Sequence, residues 1–415
     1  MSVQAIRVQL AAGVAGVLAH EAGEYQFSYT PGTHPELAIA LGMPVRLKPY
    51  AHRSLHPIFQ MNLPEGFLLE RLRNLLAKTS GTDPMLLLTV FGGAHAIGRL
   101  QCEPLSSGQL DRTVLPGVEA GESLADILAY RGAGSLFDIL LDRYLLRSGL
   151  SGVQPKVLVP ERADAPGGAA GAVLDDPPHK AAARTADLIV KSGLAAYPGL
   201  AVNEFICMSI VQRAGIACPE FFLSDDHALF VMRRFDRTGQ GAALGFEDMA
   251  VLAGKDADQK YEGSYEIVAR LLRLYCSADH LQGALRQLFD MLALSCMLGN
   301  GDAHLKNFGV LYADVANGPV WMAPAYDIVN TTAYLPEDNL ALSLSGNRDL
   351  FASRQGLLDF ARHCDLSVEQ ARVRIRSLID TCDTVLQELA DLVDEVPDLS
   401  RVLEDRLQQF RSSFT

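Results

Sequence analysis

Residues 298–311, LGNGDAHLKNFGVL, place a short polar stretch between two apolar segments. Within this stretch, Asp302 is followed by four residues and then by Asn307. This is the spacing of a phosphotransferase loop, in which one carboxylate takes the proton of the attacking hydroxyl while a nearby amide oxygen holds Mg²⁺. A second carboxylate is expected on a nearby strand, and Asp327 follows in WMAPAYDIVN after the extended run VWMAP.

The same residues also have a purely local interpretation, because Asp and Asn favour helix caps and turns. In that case Asp302 caps a helix or turn, Asn307 closes a loop and Asp327 begins another. His304 is expected to pack or hydrogen-bond within the loop rather than to act as a base. The phosphotransferase interpretation therefore requires that the rest of the chain supply a nucleotide-binding half.

Composition indicates an ordinary globular protein. The chain has 415 residues, of which 49% are hydrophobic and 20% charged, so it is long enough for two or three domains. A net charge of -13 argues against broad binding to the nucleic-acid backbone. Seven widely spaced cysteines without a CxxC pair fit reduced thiols in a cytoplasmic protein. No run reaches the ~18 apolar residues of a membrane span.

Three parts are predicted along the chain. Residues 1–115 form a small mixed module with strands at AIRVQL and GEYQFSYT, the latter a hairpin partner of the apolar stretch before it, and a helix at EGFLLERLRNLLAK. A change to Gly and Pro marks a boundary, after which residues 116–236 are β-rich and residues 237–415 helical. Residues 160–186, rich in Ala, Gly and Pro, predict a mobile insertion between two strands.

The third part shows apolar residues three and four apart from Gly245 onward, which predicts helices up to the polar loop and again in the last hundred residues. Ser367 with Gln370 predicts a capping box at the start of one of them.

Candidate phosphate-binding residues stand ahead of the extended run 157–159. Gly149, Gly152, Gln154 and Lys156 form a glycine-containing turn, in which backbone amides can approach a polyphosphate and a lysine adds charge. Glycine loops are common, so this turn is a weak signal by itself.

A second lysine lies at the end of an apolar strand. Lys191 closes ADLIVKSG and needs an anion if it is buried, either a nucleotide phosphate or a carboxylate. Glu204, near the start of the helix VNEFICMSIVQRAG, is the nearest partner, and such a pair holds the α and β phosphates in kinases. The alternative is a lysine that extends into solvent and a glutamate in a solvated first turn.

The assembled motifs resemble the HipA-type serine/threonine kinases of bacterial toxin–antitoxin systems. Seven elements stand in family order over nearly the whole chain: LSGVQPK, DLIVKSG, NEFICMSIVQRAGI, FVMRRFDR, FEDM with KYEG, GNGDAHLKNF and AYDI. The resemblance implies an α+β, two-lobed protein-kinase-like fold with an added N-terminal subdomain. It also implies that ATP and Mg²⁺ bind between a β-rich lobe and an all-helical lobe, and that the chain is an ATP-dependent serine/threonine protein kinase.

The resemblance assigns roles to individual positions. Asp302 corresponds to the catalytic base, and Asn307 and Asp327 to the Mg²⁺ ligands. Glu204 as the partner of Lys191 is inferred from spacing. The positions assigned to ATP, from the phosphate loop to the adenine hinge, are Gly152, Gln154, Lys156, Lys191, Met232, Arg233, Arg234 and Phe235.

The family often autophosphorylates a serine of the glycine loop, which ejects the loop from the ATP site and silences the enzyme. Ser151 matches one such position, Gly149 replaces another, and Ser148 is a second candidate.

The resemblance further implies a growth-inhibiting toxin that acts on translation, for example on an aminoacyl-tRNA synthetase, and that is countered by a HipB-like DNA-binding antitoxin. Direct nucleic-acid binding without the antitoxin is not expected. Two alternatives remain: an inactive kinase scaffold that regulates through an antitoxin on DNA, and a metal-dependent hydrolase built on Asp302, His304 and Asp327.

Overall fold

A computed structural model describes most of the chain, namely residues 4–76, 83–105, 121–132, 134–150, 154–162 and 187–414. The predicted boundary near residue 115, residues 163–186 of the predicted insertion, and the candidate positions Ser151 and Gly152 lie outside the described residues. Within the described part, no helix has the length and apolar character needed to cross a membrane.

The N-terminal module is an antiparallel sheet with helices packed against it. Its strand order is β4-β3-β2-β1-β5, and the predicted strands, the hairpin and the helix are all confirmed. The strands are β1 Ala5–Leu10, β2 Gly13–Glu21, β3 Glu24–Tyr29, β4 Tyr50–His52 and β5 Gln101–Pro104. The helices are α1 Pro57–Gln60, α2 Gly66–Leu76 and α3 Pro84–Phe91.

The middle part is built on a four-stranded sheet of order β6-β7-β9-β8. Lys156 on β6 lies directly opposite Lys191 on β7, so the register brings both lysines to one end of the sheet. The strands are β6 Lys156–Val159, β7 Leu188–Ser192, β8 Phe221–Leu223 and β9 Leu229–Arg233. The helices are α4 Leu124–Leu128, α5 Leu136–Tyr144 and α6 Leu200–Arg213.

The third part is mainly helical but contains a three-stranded antiparallel sheet of order β10-β11-β12. The strands are β10 Gly245–Asp248, β11 Gly309–Tyr312 and β12 Val320–Met322. The helices are α7 Met249–Leu252, α8 Tyr265–Tyr275, α9 Ala278–Leu298, α10 Ser353–Phe360, α11 Val368–Glu388, α12 Ala390–Asp394 and α13 Leu399–Phe414. The capping box of Ser367 and Gln370 is confirmed.

The expectation of helix from Gly245 onward and of an all-helical lobe is wrong for this sheet. The segment Gly245–Asp248 is a strand because β11, more than sixty residues later, supplies its hydrogen-bonding partner. Phe246 of β10 and Leu311 of β11 belong to the apolar core of the N-terminal module. That module therefore shares its core with the lobe that carries the polar loop.

Candidate active site

The polar loop begins where α9 ends at Gly299, whose φ of +67° lies in the left-handed region that favours glycine. A side chain at Gly299 would also meet the Thr332 hydroxyl at 2.3 Å, and one at Gly301 would meet the Asp338 carboxylate at 2.0 Å. The Asn300 side-chain oxygen then accepts a hydrogen bond of 3.0 Å from the Asp302 amide. Both glycines are thus required for the loop to turn this tightly.

Asp302 and Asn307 are held together within the loop. Nδ2 of Asn307 donates to the backbone oxygen of Asp302 at 3.0 Å, which leaves the amide oxygen of Asn307 available for a cation. The Tyr261 hydroxyl donates to Oδ1 of Asp302 at 2.8 Å. Burial raises the pKa of Asp302, while the bond from Tyr261 works in the opposite direction. The carboxylate remains partly accessible, as a base that meets a substrate hydroxyl must.

Lys191 pairs with two carboxylates, Glu204 of its own lobe and Asp327 of the helical lobe. Its ammonium contacts Oε1 of Glu204 on α6 and lies 3.1 Å from Oδ1 of Asp327. The side chains of Lys191 and Glu204 are 3% and 1% exposed, whereas that of Asp327 is 26% exposed. Buried Glu204 therefore neutralises the Lys191 ammonium on the protein side, while the Asp327 carboxylate remains accessible to solvent.

The charges of the two lysines control the ionisation of Asp327. Burial alone would raise the pKa of Asp327, but the ammonium groups of Lys191 and Lys156 lower it to about 2. Burial lowers the pKa of Lys156, and Asp327 and Glu204 partly oppose this effect. Asp327 is consequently an anion throughout the physiological range, the state that a metal ligand needs.

A cavity of about 460 Å³ collects these groups. From the polar loop and the segment after it, Asp302, Asn307 and Asp327 line the cavity. The predicted nucleotide positions that line it are Gln154, Lys156, Lys191, Met232, Arg234 and Phe235. The structure thus brings the two predicted halves of the site to one cleft.

Two of the predicted residues are not placed for direct contact with a nucleotide. The guanidinium of Arg233 is bound by Glu161, at 2.6 Å, and by Glu220, and Arg233 is absent from the cavity wall. Ser148 is fully buried: its hydroxyl donates to the backbone oxygen of Tyr144 at 3.0 Å and accepts from the amide of Leu158 at 2.8 Å.

Arg234 reaches the cavity, yet its guanidinium is engaged in a structural network. It donates to the backbone oxygens of His95 and Ala96 at 2.9 and 2.8 Å, and it pairs with buried Asp236 at 2.7 Å. Asp236 in turn accepts from the Gly98 amide at 2.7 Å. These bonds fasten the N-terminal module to the segment that follows β9.

The segment that carries Asp327 is fixed by two buried asparagines that sequence reasoning missed as site residues. Nδ2 of Asn203 donates to the backbone oxygen of Asn330 at 2.8 Å, and Oδ1 of Asn203 accepts from the Asn330 amide at 3.0 Å. Nδ2 of Asn330 also donates to the Leu298 oxygen at the end of α9. The available signal was an amide among the apolar residues of α6, since a buried amide must find partners.

Two further contacts of the loop were also missed. Lys306 pairs with Glu65 of the N-terminal module at 2.6 Å. Tyr261 lies in the KYEG element, but nothing in the sequence placed it beside Asp302. His304 is buried 4.0 Å from the Asp302 carboxylate, and burial lowers its pKa to about 3. A neutral, enclosed imidazole agrees with the packing function predicted for His304.

The site chemistry fits Mg²⁺ bound together with a polyphosphate. Mg²⁺ takes oxygen ligands, keeps several waters and uses one or two carboxylates plus substrate phosphates. Asn307 and Asp327 offer one amide and one carboxylate oxygen to the same cavity. In the part of the chain that the structure describes, no group of three or more His, Cys, Asp or Glu residues is arranged to hold a metal. Among the described residues, Asp302, His304 and Asp327 do not form such a group, so the hydrolase alternative gains no support from the structure.

The β-rich lobe with its buried lysine and the mainly helical lobe with its polar loop define a two-lobed, kinase-like protein. The chain belongs to the HipA family, which confirms the resemblance. The family model described as the HipA N-terminal domain matches residues 6–103, and the one described as the HipA-like C-terminal domain matches residues 148–389.

Bacterial relatives of the chain carry kinase names. The Sinorhizobium fredii protein named "Putative kinase Y4mE" is 30% identical over 411 residues, 92% of this chain and 90% of that protein. A second protein of that organism, "Putative kinase Y4dM", is 34% identical over 196 residues, 43% of this chain. The chain spans about half the length of this second relative, 46%.

A solved structure shares the fold over almost the full length. It is HipA of Shewanella oneidensis MR-1, solved in a complex with HipB and operator DNA. The match covers 98% of this chain and 96% of the HipA chain. The TM-score is 0.60 and the sequence identity 17%. The match supports the mixed α and β architecture with two lobes.

Proposed function

We propose that the protein is an ATP-dependent kinase that phosphorylates a serine or threonine of another protein. One observation carries the proposal: the Lys191 ammonium of the β-rich lobe lies 3.1 Å from the Asp327 carboxylate, in the same cavity as Asp302 and Asn307. A lysine that meets a metal-binding carboxylate beside a general base is the arrangement that phosphoryl transfer needs.

In the proposed reaction, Asp302 accepts the proton of the acceptor hydroxyl. The acceptor oxygen forms a bond to the γ-phosphorus of ATP as the bond between that phosphorus and the bridging oxygen of ADP breaks. Lys191 and Lys156 hold the phosphates by charge, and the apolar side chains of Met232 and Phe235 offer a wall for the adenine. Most of the rate gain comes from positioning and charge neutralisation.

Asn307 and Asp327 would hold Mg²⁺ through their side-chain oxygens. When bound, the cation neutralises the charge that develops on the phosphate oxygens. The low pKa of Asp327 keeps this ligand ionised without help from the metal.

We further propose that the protein is a cytoplasmic, growth-inhibiting toxin that acts on translation and has a HipB-like antitoxin as its partner. The solved HipA that shares this fold is in a complex with HipB and operator DNA, which supports such a partner. An aminoacyl-tRNA synthetase is the substrate class suggested by the resemblance. Burial of the Ser148 hydroxyl argues against that autophosphorylation site and leaves Ser151 as the candidate.

The Asp302→Asn variant tests the catalytic assignment. It should fold normally and keep the rise in melting temperature caused by ATP and Mg²⁺, but lose transfer of labelled phosphate to casein and to itself. Asp405→Asn, at an exposed position on α13, is the matched control and should keep full activity. Full activity of Asp302→Asn would remove Asp302 as the base. A wild-type protein that binds nucleotide without turnover would favour the inactive scaffold associated with DNA.

A further inference from the structure

Tyr261 stands directly at the proposed base. Its hydroxyl donates to Oδ1 of Asp302 at 2.8 Å, and its ring lines the cavity while remaining 39% exposed. The residue precedes α8 by a short turn and is 41 positions away from Asp302 in sequence. One of the two carboxylate oxygens of the base is therefore already engaged in the structure.

The surroundings of Tyr261 hold the ring in place from several sides. Arg348 donates to the backbone oxygen of Tyr261 at 2.7 Å, and the Leu305 amide of the polar loop donates to the backbone oxygen of Lys260 at 3.1 Å. The ring meets the buried imidazole of His304 edge to face, with centroids 5.1 Å apart. The backbone bonds fix the segment that carries Tyr261, and the contact with His304 packs the ring where its hydroxyl meets Oδ1 of Asp302.

The hydroxyl keeps its proton in this setting. Burial and the adjacent Asp302 carboxylate both raise the pKa of Tyr261, so the group stays a neutral donor. A donor that stays protonated orients the carboxylate without competing as a base.

We propose that Tyr261 is a positioning residue of phosphoryl transfer: by binding Oδ1 it fixes the Asp302 carboxylate and leaves Oδ2 to take the proton of the acceptor hydroxyl. The inference rests on the proposed function and deepens it. The proton moves from the acceptor oxygen to Oδ2 while that oxygen bonds to the γ-phosphorus and ADP leaves, and Tyr261 keeps its own proton throughout. The opposite possibility is that Tyr261 blocks the base and must move aside.

The test compares Tyr261→Phe with Tyr261→Leu, using labelled ATP and dephosphorylated casein as acceptor. Phe keeps the ring against His304 and loses only the hydroxyl, so kcat should fall about tenfold or more, as for loss of a hydrogen bond to a charged group. The KM for ATP and the melting-temperature rise with ATP and Mg²⁺ should not change. Leu, which loses ring and hydroxyl, should be at least as slow. Tyr275→Phe, at the far end of α8 and outside the cavity, is the control.

The outcomes separate the inference from the proposed function. If Tyr261→Phe keeps the wild-type kcat and only Leu loses activity, the ring packs and the hydroxyl does not position the base. If Phe raises kcat, Tyr261 obstructs Asp302, and the inference is overturned as well. If the wild-type protein transfers no phosphate to casein or to itself while binding nucleotide, the proposed function fails first, and the positioning of a base fails with it.

Discussion

Lys191→Met tests the charge arrangement on which the site depends. Methionine keeps the length and the apolar stem of the lysine but removes the ammonium that contacts Glu204 and lies 3.1 Å from Asp327. Glu204 is only 1% exposed and would be left buried near Asp327 without this directly bound counter-charge. Removal of one partner from a buried ion pair is costly because the remaining charge is neither solvated nor paired.

The magnitude follows from the burial of each partner. Loss of one member of a buried pair destabilises by ~3–5 kcal/mol. Asp327 is partly solvated and Lys156 lies near both carboxylates. We therefore expect Lys191→Met to lower the free energy of unfolding by about 3 kcal/mol, the lower end of this range. The loss should shrink at acidic pH, because in the variant burial holds the pKa of Glu204 above its ordinary value and the protonated form needs no counter-charge.

Urea unfolding followed by far-ultraviolet circular dichroism measures this effect. The double variant Lys191→Met/Glu204→Gln removes the stranded charge and should recover on the order of 2 kcal/mol of the loss. Lys255→Met breaks the more exposed ion pair with Glu262 and, as the control, should cost less than ~1 kcal/mol. A Lys191→Met protein as stable as Lys255→Met, or a double variant less stable than the single one, would show that Lys191 does not act as the counter-charge of buried Glu204.

Two further predictions concern contacts between the N-terminal module and the rest of the chain, made by Glu247 of β10 and by Arg234. Burial raises the pKa of Glu247 from 4.5 to about 7, so the folded state holds this proton more tightly than the unfolded chain does. The free energy of unfolding of the wild type should therefore fall by on the order of 3 kcal/mol as the pH rises from 4.5 to about 7. Glu247→Gln should remove that fall in urea midpoints measured from pH 5 to 8. Equal slopes for both proteins would contradict it. Arg234→Met should expose the N-terminal module to limited proteolysis and destabilise the folded protein by about 3 kcal/mol, since Asp236 loses its principal buried partner. Arg131→Met, which breaks an exposed pair with Asp225, is the control. Equal cleavage rates for the two variants would show that Arg234 does not hold the module in place.

The polar residues of the cleft could be predicted from short stretches of the sequence. Asp302 and Asn307 lie five positions apart in one tight loop, so their proximity hardly depends on the rest of the fold. Lys191 lies near the end of an apolar strand, and burial of an ammonium requires an anion, which Glu204 provides. In these cases the sequence constrains the partner because burial of an unpaired charge is too costly.

Other features were decided only by distant contacts. The adjacent residues Arg233 and Arg234 look equivalent in sequence, yet one binds Glu161 and Glu220 whereas the other ties the N-terminal module to the segment after β9. Successive residues of an extended segment point to opposite sides, and what lies on each side is set by the fold.

The amino-acid sequence by itself determined individual strands and helices and the polar groups of the cleft, because strand and helix periodicity and the cost of a buried charge act over short distances. The two-lobed architecture was implied by the resemblance to the HipA-type kinases. Tertiary structure alone decided that Gly245–Asp248 is a strand, that Glu65 holds Lys306, and that Tyr261 meets Asp302. Each of these contacts joins residues more than forty positions apart, so no local pattern could specify the pairing. These three contacts stabilise the protein only when the segments that carry the partners have packed together.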